Sequence, residues 1–252
     1  MEENGFTLFK YNTRKSRNRR RQRNEPPKVS TETVVEYVED KIDTLKHSDF
    51  YAQLKEIIVP SQLPEFEDII CYGVGSFEQS RTSQFQLGLI LLLRELLQFK
   101  GKLHSYDPVL TEIDLEVLQH YGIELIKTNE QAKRSVSGPT LFYMPHCGKT
   151  LYNNLLASNW SRKAVANVYL IGNRLEMYHE NEPTSKLRRE VPHIVEALDL
   201  IKCSPFPEEF DNNTIFNDIC IHQFLAEKVN AAEDSVFEVE VTSEPENDPE
   251  VV

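Results

Sequence analysis

Between residues 68 and 173, short apolar segments that end in glycine or proline alternate with longer segments of helical periodicity. Strands separated by helices of ten or more residues indicate βαβ units, because two parallel strands need a crossover connection of that length. We therefore predict an α/β fold, Rossmann-like and three-layered, with a mostly parallel sheet of about five or six strands. Ligands of such sheets bind beyond the carboxyl ends of the strands, so candidate site residues are sought there.

The spacing of apolar residues predicts the individual elements. Strands are expected at 68–75, 103–106, 123–126, 140–144 and 168–171. Helices are expected at 34–54, 76–99, 111–121, 151–160 and 191–200, and the helix at 111–121 starts with the spacing of a capping box. Residues 203–207 are expected to form a loop, and a sixth strand near Ile215 is expected to lead into a short final helix.

Charge is concentrated at the two ends of this chain of 252 residues, whose net charge is −12. Residues 1–28 are strongly basic, whereas residues 226–252 are strongly acidic, and both segments have few apolar side chains. Such segments bury too little apolar surface to offset the entropy of ordering them, so we predict disordered tails at 1–28 and 226–252 and one α/β domain at 29–225.

The basic run RRRQR at 19–23 has two interpretations, a nuclear address or nucleic-acid patch on the one hand and a solvated tail on the other. An acidic body repels phosphates, so any contact with nucleic acid is expected on this tail alone.

Membrane and secreted classes do not fit the sequence. The longest apolar run, 89–93, is far shorter than the roughly 18 residues of a membrane-spanning helix. The polar, basic start of the chain lacks the apolar core of a signal peptide. The four cysteines are widely spaced without a CxxC pair, which argues against a disulfide framework or a zinc finger and favours a reduced cytoplasmic or nuclear compartment.

The end of the first predicted strand is the first candidate site. Tyr72, Gly73, Gly75 and Ser76 lie where glycines permit a sharp turn and where a following helix would offer free N–H groups to an anion or a ribose. Glu78 stands where the third glycine of a GxGxxG fingerprint would fall, so the pattern resembles nucleoside sites more than pyrophosphate sites. The alternative is a simple strand-to-helix turn.

Asp107 ends the second predicted strand, where nucleotide-binding folds accept hydrogen bonds from ribose hydroxyls. The alternative role is that of an Asp-Pro turn, in which the carboxylate accepts hydrogen bonds from backbone N–H groups. The two roles are compatible.

The end of the fourth predicted strand places Pro145, His146 and Cys147 at the start of a helix, and Asn173 ends the fifth strand. A cysteine near a helix N-terminus can form a thiolate, and a histidine can act as a base or ligand. The alternative is a polar turn with Cys147 packed as a small apolar residue. We count all four residues as ligand-binding candidates. We assign no catalytic residue, and no metal site is expected because no paired ligand motif such as HxxxH is present.

Four segments together resemble the sensitivity-to-red-light-reduced family: IICYGVGSF at 69–77, YDPV at 106–109, FYMPHC at 142–147 and FND at 216–218. The resemblance covers roughly residues 66–224. It implies a role in circadian clock-gene regulation and, for animal members, in haem biosynthesis, with cytoplasmic and also nuclear residence. The haem connection draws attention to His146, Cys147 and Cys203. The resemblance implies no defined biochemical activity.

Two hypotheses about function follow. The first is a regulatory module that binds a small ligand, such as a nucleotide or haem, and acts through protein partners that the sequence does not identify. The second is a methyltransferase-like enzyme that uses S-adenosylmethionine. The same scaffold supports both, so the fold does not decide between them.

Overall fold

The computed structural model describes residues 29–61, 63–211 and 214–239. The predicted basic tail at 1–28, with its RRRQR run, and residues 240–252 of the predicted acidic tail lie outside this range.

The described residues form a seven-stranded sheet with helices between the strands. The strands are β1 (Asp68–Tyr72), β2 (Lys102–Tyr106), β3 (Glu124–Leu125), β4 (Thr140–Met144), β5 (Val168–Asn173), β6 (Ile201–Pro205) and β7 (Ile219–Phe224). The helices are α1 (Thr31–Lys46), α2 (Asp49–Ile58), α3 (Arg81–Leu96), α4 (Glu112–His120), α5 (Lys149–Ala157), α6 (Arg162–Val165), α7 (Glu176–Asn181), α8 (Thr184–Glu190), α9 (Pro192–Ala197) and α10 (Ala226–Ala231). No helix within these residues is long and apolar enough to cross a membrane.

The strand order across the sheet is β3-β2-β1-β4-β5-β7-β6. The first five strands in this order are parallel, and β7 runs antiparallel to both of its neighbours, β5 and β6. The predicted α/β class and mostly parallel sheet are therefore confirmed, although the sheet has one strand more than the five or six predicted.

Alternate residues of each central strand face opposite layers of helices. Ile69 and Cys71 of β1 pack on the side of α1, α2, α3 and α4, whereas Ile70 and Tyr72 pack on the side of α5 and α9. Both faces of the sheet are covered, which explains why its central strands are continuously apolar rather than alternating in polarity. The result is the predicted three-layer arrangement.

Two predicted helices have different limits in the structure. The helix expected at 34–54 is divided into α1 and α2, because the Ser48 side chain accepts a hydrogen bond from the Tyr51 N–H and starts a new helix. The helix expected at 76–99 begins at Arg81, where the Ser80 side chain caps it in the same way. The capping box predicted at Thr111 and Asp114 is confirmed.

The C-terminal part of the described chain differs most from the prediction. Strand β6 at Ile201–Pro205 includes residues 203–205 of the predicted loop at 203–207, and the last strand begins at Ile219 rather than near Ile215. Residues 226–239, expected to belong to a disordered acidic tail, form α10 and a 3-10 turn. They pack against the body because Val229 is buried and the Trp160 Nε1–H donates to the Val236 carbonyl. A few apolar residues within an acidic segment are sufficient to dock it.

Candidate functional site

A cleft of about 220 Å³ lies at the carboxyl ends of β1, β2 and β4. The chain reaches the β3 edge of the sheet and then returns to the other side of β1 to form β4, so the strand order reverses between β1 and β4. In open α/β sheets, ligands bind at this reversal point. The cleft is lined by Tyr72, Gly73, Tyr106, Asp107, Pro108, Asn129, Gln131, Ala132, His146, Cys147 and Leu151.

The structure brings five of the nine predicted site residues together in the lining of this cleft. They are Tyr72, Gly73, Asp107, His146 and Cys147. The other four, Gly75, Ser76, Pro145 and Asn173, lie outside the lining. Gly75 and Asn173 hydrogen-bond to lining residues, and Ser76 and Pro145 are buried in the adjoining turns.

The glycine turn after β1 requires glycine on two grounds. Gly73 and Gly75 have φ angles of +70° and +78°, in the left-handed region that other residues rarely adopt. A Cβ atom on Gly73 would lie 2.5 Å from Cys147 Sγ, and one on Gly75 would lie 2.5 Å from Ser83 Oγ. The Cys147 thiol packs against this turn and donates a hydrogen bond to the Tyr72 carbonyl at 3.4 Å. Cys147 is thus a buried packing residue in addition to lining the cleft.

No helix begins directly after the glycine turn, contrary to the sequence-based expectation. Residues 76–80 form an intervening turn, in which Ser76 Oγ accepts a hydrogen bond from the Gln79 N–H. The Glu78 N–H donates to the fully buried Asp114 at 2.8 Å, which fixes this turn to the start of α4. The expected anion site at a helix N-terminus beside Gly75 is therefore not formed.

Asp107 links the ends of β1 and β2. Its Oδ2 accepts a hydrogen bond from the Gly75 N–H at 2.7 Å, and its Oδ1 accepts one from the Val109 N–H at 3.0 Å. The turn-forming role that the sequence suggested is thus realised at a position that also lines the cleft. Each carboxylate oxygen has about two acceptor sites, so each retains capacity for a ligand hydroxyl.

Asn173 holds the turn that carries His146 and Cys147. The His146 N–H donates to Asn173 Oδ1 at 2.8 Å, and Asn173 Nδ2 donates to the Cys147 carbonyl at 2.9 Å. These contacts fix His146 at a φ of +57°, which is uncommon for a residue with a side chain. His146 Nε2 lies 2.9 Å from the Ile215 carbonyl, so this nitrogen carries a proton and donates it to that carbonyl.

The loop after β3 forms a wall of the cleft that sequence reasoning missed. Asn129, Gln131 and Ala132 line it, and the last two have φ angles of +51° and +56°. Asn129 Oδ1 accepts a hydrogen bond from the Gln131 N–H at 2.9 Å, which shapes the turn. The loop carries no motif. The loop follows β3, which is parallel to β1 and β2, so its position after a strand could have identified it as part of the cleft.

A hydrogen bond from Tyr72 fastens this loop to β1, and an ion pair within the loop holds its acceptor in place. The Tyr72 hydroxyl donates to Glu130 Oε2, and the Arg134 guanidinium donates to both Glu130 oxygens at 2.8 and 2.6 Å. Burial, reinforced by the hydrogen bond to Glu130, raises the pKa of the Tyr72 phenol. The hydrogen bond from Arg134 lowers the pKa of the Glu130 carboxyl. Tyr72 therefore stays protonated and acts as a fixed donor toward the loop.

The polarity of the lining restricts what the cleft can bind. Among the lining residues described, Asp107 is the one acidic side chain, and no lysine or arginine is present. Three ring-bearing side chains (Tyr72, Tyr106 and His146) and two amides (Asn129 and Gln131) supply the remaining recognition chemistry. This environment favours a neutral or cationic ligand over a polyphosphate.

A larger cavity of about 550 Å³ lies elsewhere, among residues of α1, α3 and the end of α4. Its charged side chains pair with one another or bond to the backbone. Lys46 Nζ is 3.4 Å from a Glu95 carboxylate oxygen, and Arg94 donates a hydrogen bond to the Tyr121 carbonyl at 2.8 Å. It lies within one helical layer, away from the strand ends, and we assign no ligand to it.

Residues 17–223 match the SRR1 domain family. This chain belongs to that family. The resemblance to the sensitivity-to-red-light-reduced family stated from the sequence is therefore confirmed, since one relative of the SRR1 domain is the Arabidopsis thaliana protein SENSITIVITY TO RED LIGHT REDUCED 1.

The SRR1 domain aligns with relatives from a mammal and a plant. A mouse SRR1-like protein is 41% identical over 134 residues, which cover 52% of this chain and 54% of the mouse protein. The Arabidopsis protein is 34% identical over 154 residues, covering 57% of this chain and 56% of that protein. The chain thus spans little more than half the length of these two relatives.

Solved structures of two methyltransferases are similar to the chain at a low level. The 23S rRNA methyltransferase ErmE is 15% identical with a TM-score of 0.41, covering 74% of this chain and 72% of that one. The Podospora anserina methyltransferase PaMTH1 is also 15% identical with a TM-score of 0.38, covering 76% and 87%. At these values the likeness carries no argument about activity.

Proposed function

We propose that this protein is a regulatory protein whose SRR1 domain binds a nucleoside-type small ligand in the cleft at the ends of β1, β2 and β4. One observation carries the proposal: the cleft lies at the point where the strand order reverses, with the Asp107 carboxylate at its wall. An acidic residue after the second strand of such a fold is suited to ribose hydroxyls.

The chemistry of the lining supports a nucleoside over larger or more negative ligands. Because the lining residues include no lysine or arginine, a triphosphate or a dinucleotide would lack charge partners. The volume of 220 Å³ lies below the roughly 300–1,000 Å³ of pockets that enclose drug-sized ligands, so a whole haem or dinucleotide does not fit inside. Adenosine, or the nucleoside part of S-adenosylmethionine or S-adenosylhomocysteine with the amino-acid part outside the cleft, matches this volume best.

Family membership supports the biological side of the proposal. As the resemblance implies, the protein would act in circadian clock-gene regulation and in the control of haem biosynthesis. It would do so through protein partners, in the cytoplasm and also in the nucleus, with nucleic-acid contact confined to the basic segment 1–28.

A second candidate is a methyltransferase-like enzyme that uses S-adenosylmethionine, because an anionic cleft without lysine or arginine suits a sulfonium cation. The lining side chains that could act as a base for methyl transfer, Asp107, His146 and Cys147, are each held by hydrogen bonds to the backbone. The protonated His146 Nε2 is engaged with the Ile215 carbonyl, and the Cys147 thiol is buried against β1. We therefore favour the binding module.

Calorimetry with the full-length protein tests the proposal. We expect saturable binding of S-adenosylmethionine, S-adenosylhomocysteine or adenosine, and weaker or no binding of ATP, NAD and haem. Asp107→Asn should weaken binding by at least 10-fold, since a hydrogen bond to a charged group contributes about 1.5–3 kcal/mol. The exposed Asp199→Asn is the matched control. Preferential binding of ATP, NAD or haem would refute the nucleoside assignment.

The enzyme alternative needs a separate readout. If the protein is a methyltransferase, methyl-labelled S-adenosylmethionine should transfer its label to an acceptor in fractionated extract, and Asp107→Asn should abolish that transfer. Binding without transfer favours the regulatory module.

A further inference from the structure

Three metal-ligating side chains converge on one face of the β6–β7 pair, outside the cleft. Cys203 is directly opposite His222 across the two strands, and Cys220 lies two residues before His222 on the same face of β7. Their ligand atoms all lie within 4.8 Å of one another. Bonds of about 2.3 Å to sulfur and 2.0 Å to nitrogen around one Zn²⁺ ion need ligand atoms about 3.5–4 Å apart, so a small shift closes the set.

His222 is already oriented as a metal ligand. Its side chain is 3% exposed, and its Nε2 lies 2.9 Å from the Asn173 carbonyl, which assigns the proton to Nε2. Nδ1 then carries the lone pair, and it is buried without a hydrogen-bond partner. A metal-bound histidine characteristically donates its other N–H to a carbonyl or carboxylate in this way. A buried nitrogen acceptor left unpaired is costly, and a bound ion would satisfy it.

Glu176 is the candidate for the fourth ligand, although its carboxylate lies outside the set of ligand atoms that are within 4.8 Å of one another. Its Oε2 is buried and likewise lacks a hydrogen-bond partner. The carboxylate is near enough to raise the pKa of both Cys220 and His222 electrostatically, although burial is the larger influence on His222 and lowers its pKa. Contact with the Cys203 thiol and burial raise the pKa of Cys220. The Cys220 thiol and the His222 ring therefore both favour their neutral forms. Cys220 also lines a small cavity of about 130 Å³.

We propose that Cys203, Cys220 and His222, with Glu176 as the fourth ligand, bind a divalent transition-metal ion of the Zn²⁺ type. Two thiolates, one imidazole and one carboxylate form a tetrahedral ligand set that Zn²⁺ accepts. On binding, the two thiols release their protons to solvent, whereas His222 releases none because Nδ1 is unprotonated. The ion ties the edge strand β6 to β7 and to α7.

The sequence did not predict this site because its ligands do not form a motif. Cys203 and Cys220 are separated by a loop, and His222 follows Cys220 at a strand spacing rather than at the CxxC or HxxxH spacing of helical or knuckle sites. Pairing of β6 with β7 brings the ligands together.

Metal titration of the full-length protein tests the proposal. The protein is stripped with a chelator under reducing conditions and titrated with Co²⁺, followed by displacement with Zn²⁺. We expect one Co²⁺ per chain, with thiolate-to-metal charge-transfer absorption and tetrahedral ligand-field bands. Cys203→Ser and His222→Gln should each weaken binding by at least 10-fold and alter the spectrum. Cys71→Ser and His193→Gln, buried residues outside the cluster, should leave stoichiometry and spectrum unchanged.

Two results would overturn the proposal. One is the absence of stoichiometric Co²⁺ binding by the folded wild-type protein, and the other is an unchanged affinity and spectrum in the Cys203→Ser and His222→Gln variants. Since Cys203 is only partly buried, Cys203→Ser is expected to fold even if a His222 variant does not. Its circular dichroism spectrum confirms this before titration.

Discussion

The Cys147 thiol occupies the space that a side chain at position 73 would need, so substitution of Gly73 tests the turn at the end of β1. Gly73→Ala should destabilise the protein more than Gly122→Ala, because both glycines have positive φ angles but Gly122 has open space where its Cβ would lie. The φ strain alone costs about 1–2 kcal/mol. Contact with Cys147 should add about 1–3 kcal/mol at Gly73, measured by urea unfolding.

A double-mutant cycle identifies the source of the difference. Cys147→Ala should cost less in the Gly73→Ala background than in the wild-type protein, because removal of the thiol relieves the contact. Equal costs in the two backgrounds would show that Cys147 does not restrict residue 73.

Asp107 is expected to affect stability as well as binding, since both of its oxygens accept backbone hydrogen bonds. Asp107→Asn places an NH₂ group against one of these N–H donors. The free energy of unfolding should fall by about 1–3 kcal/mol, the cost of an unsatisfied donor. The exposed Asp199→Asn should change it by no more than about 0.5 kcal/mol. An Asp107→Asn protein as stable as wild type would argue against the turn described here.

His193 should give the protein a pH-dependent stability. The side chain is 4% exposed and packs edge-on against Trp160, and burial lowers its pKa to about 4 from an ordinary value of 6.5. The unfolded chain therefore takes up this proton at a higher pH than the folded protein does. The stability contribution is complete above pH 6.5 and is lost as the pH falls from 6.5 to 4.

Urea unfolding at pH 7.5 and pH 4.5 measures this effect. Wild-type protein should lose more stability between the two conditions than His193→Phe, which keeps the aromatic contact with Trp160 but cannot titrate. An identical loss in the two proteins would exclude a depressed pKa at His193.

At the level of elements, the parallel strands were predictable and the antiparallel ones were not. β4 and β5 are apolar along their length because helices cover both faces of the central sheet. Glycine or proline marks their ends, so both strands could be recognised in the sequence. β6 lies at the sheet edge, where only Ile201 of its residues is buried, and it contains Lys202, Ser204 and Pro205, so its sequence has the composition of a loop. Its pairing with β7 depends on tertiary contacts that no local pattern records.

The residues of the candidate site were likewise predictable only in part. Gly73, Asp107 and His146 follow predicted strands, and the rule that ligands bind at strand ends located them. The wall formed by Asn129 and Gln131 depends on left-handed backbone in a polar loop, which no spacing signals. Asn173 was included as a ligand contact, whereas its side-chain amide hydrogen-bonds to the turn at 146–147.

For the whole molecule, the structured domain extends beyond residue 225. A chain that ends at Leu225 should unfold at a lower temperature than one that ends at Val239. It loses the buried Val229 side chain, which contributes about 1.5–3 kcal/mol, and the hydrogen bonds of Arg162 and Trp160 to residues 229–236. We expect a decrease in melting temperature of about 3–10 °C by differential scanning calorimetry.

The chain that ends at Val239 is the matched control and should melt at the temperature of the full-length protein, because residues 240–252 of the predicted acidic tail have few apolar side chains to bury. Equal melting temperatures for the two shortened chains would show that docking of 226–239 contributes nothing to stability.

Hydrogen–deuterium exchange of the full-length protein, with and without saturating S-adenosylhomocysteine, tests most directly whether the cleft at the strand ends is the ligand site. The account predicts slower exchange in peptides that cover 72–75, 106–109, 129–132 and 146–148, the segments that form or adjoin the cleft. Peptides of α1, α3 and α4 around the larger cavity should exchange unchanged. Protection centred on that helical layer, or no protection at the strand ends under saturating ligand, would contradict it.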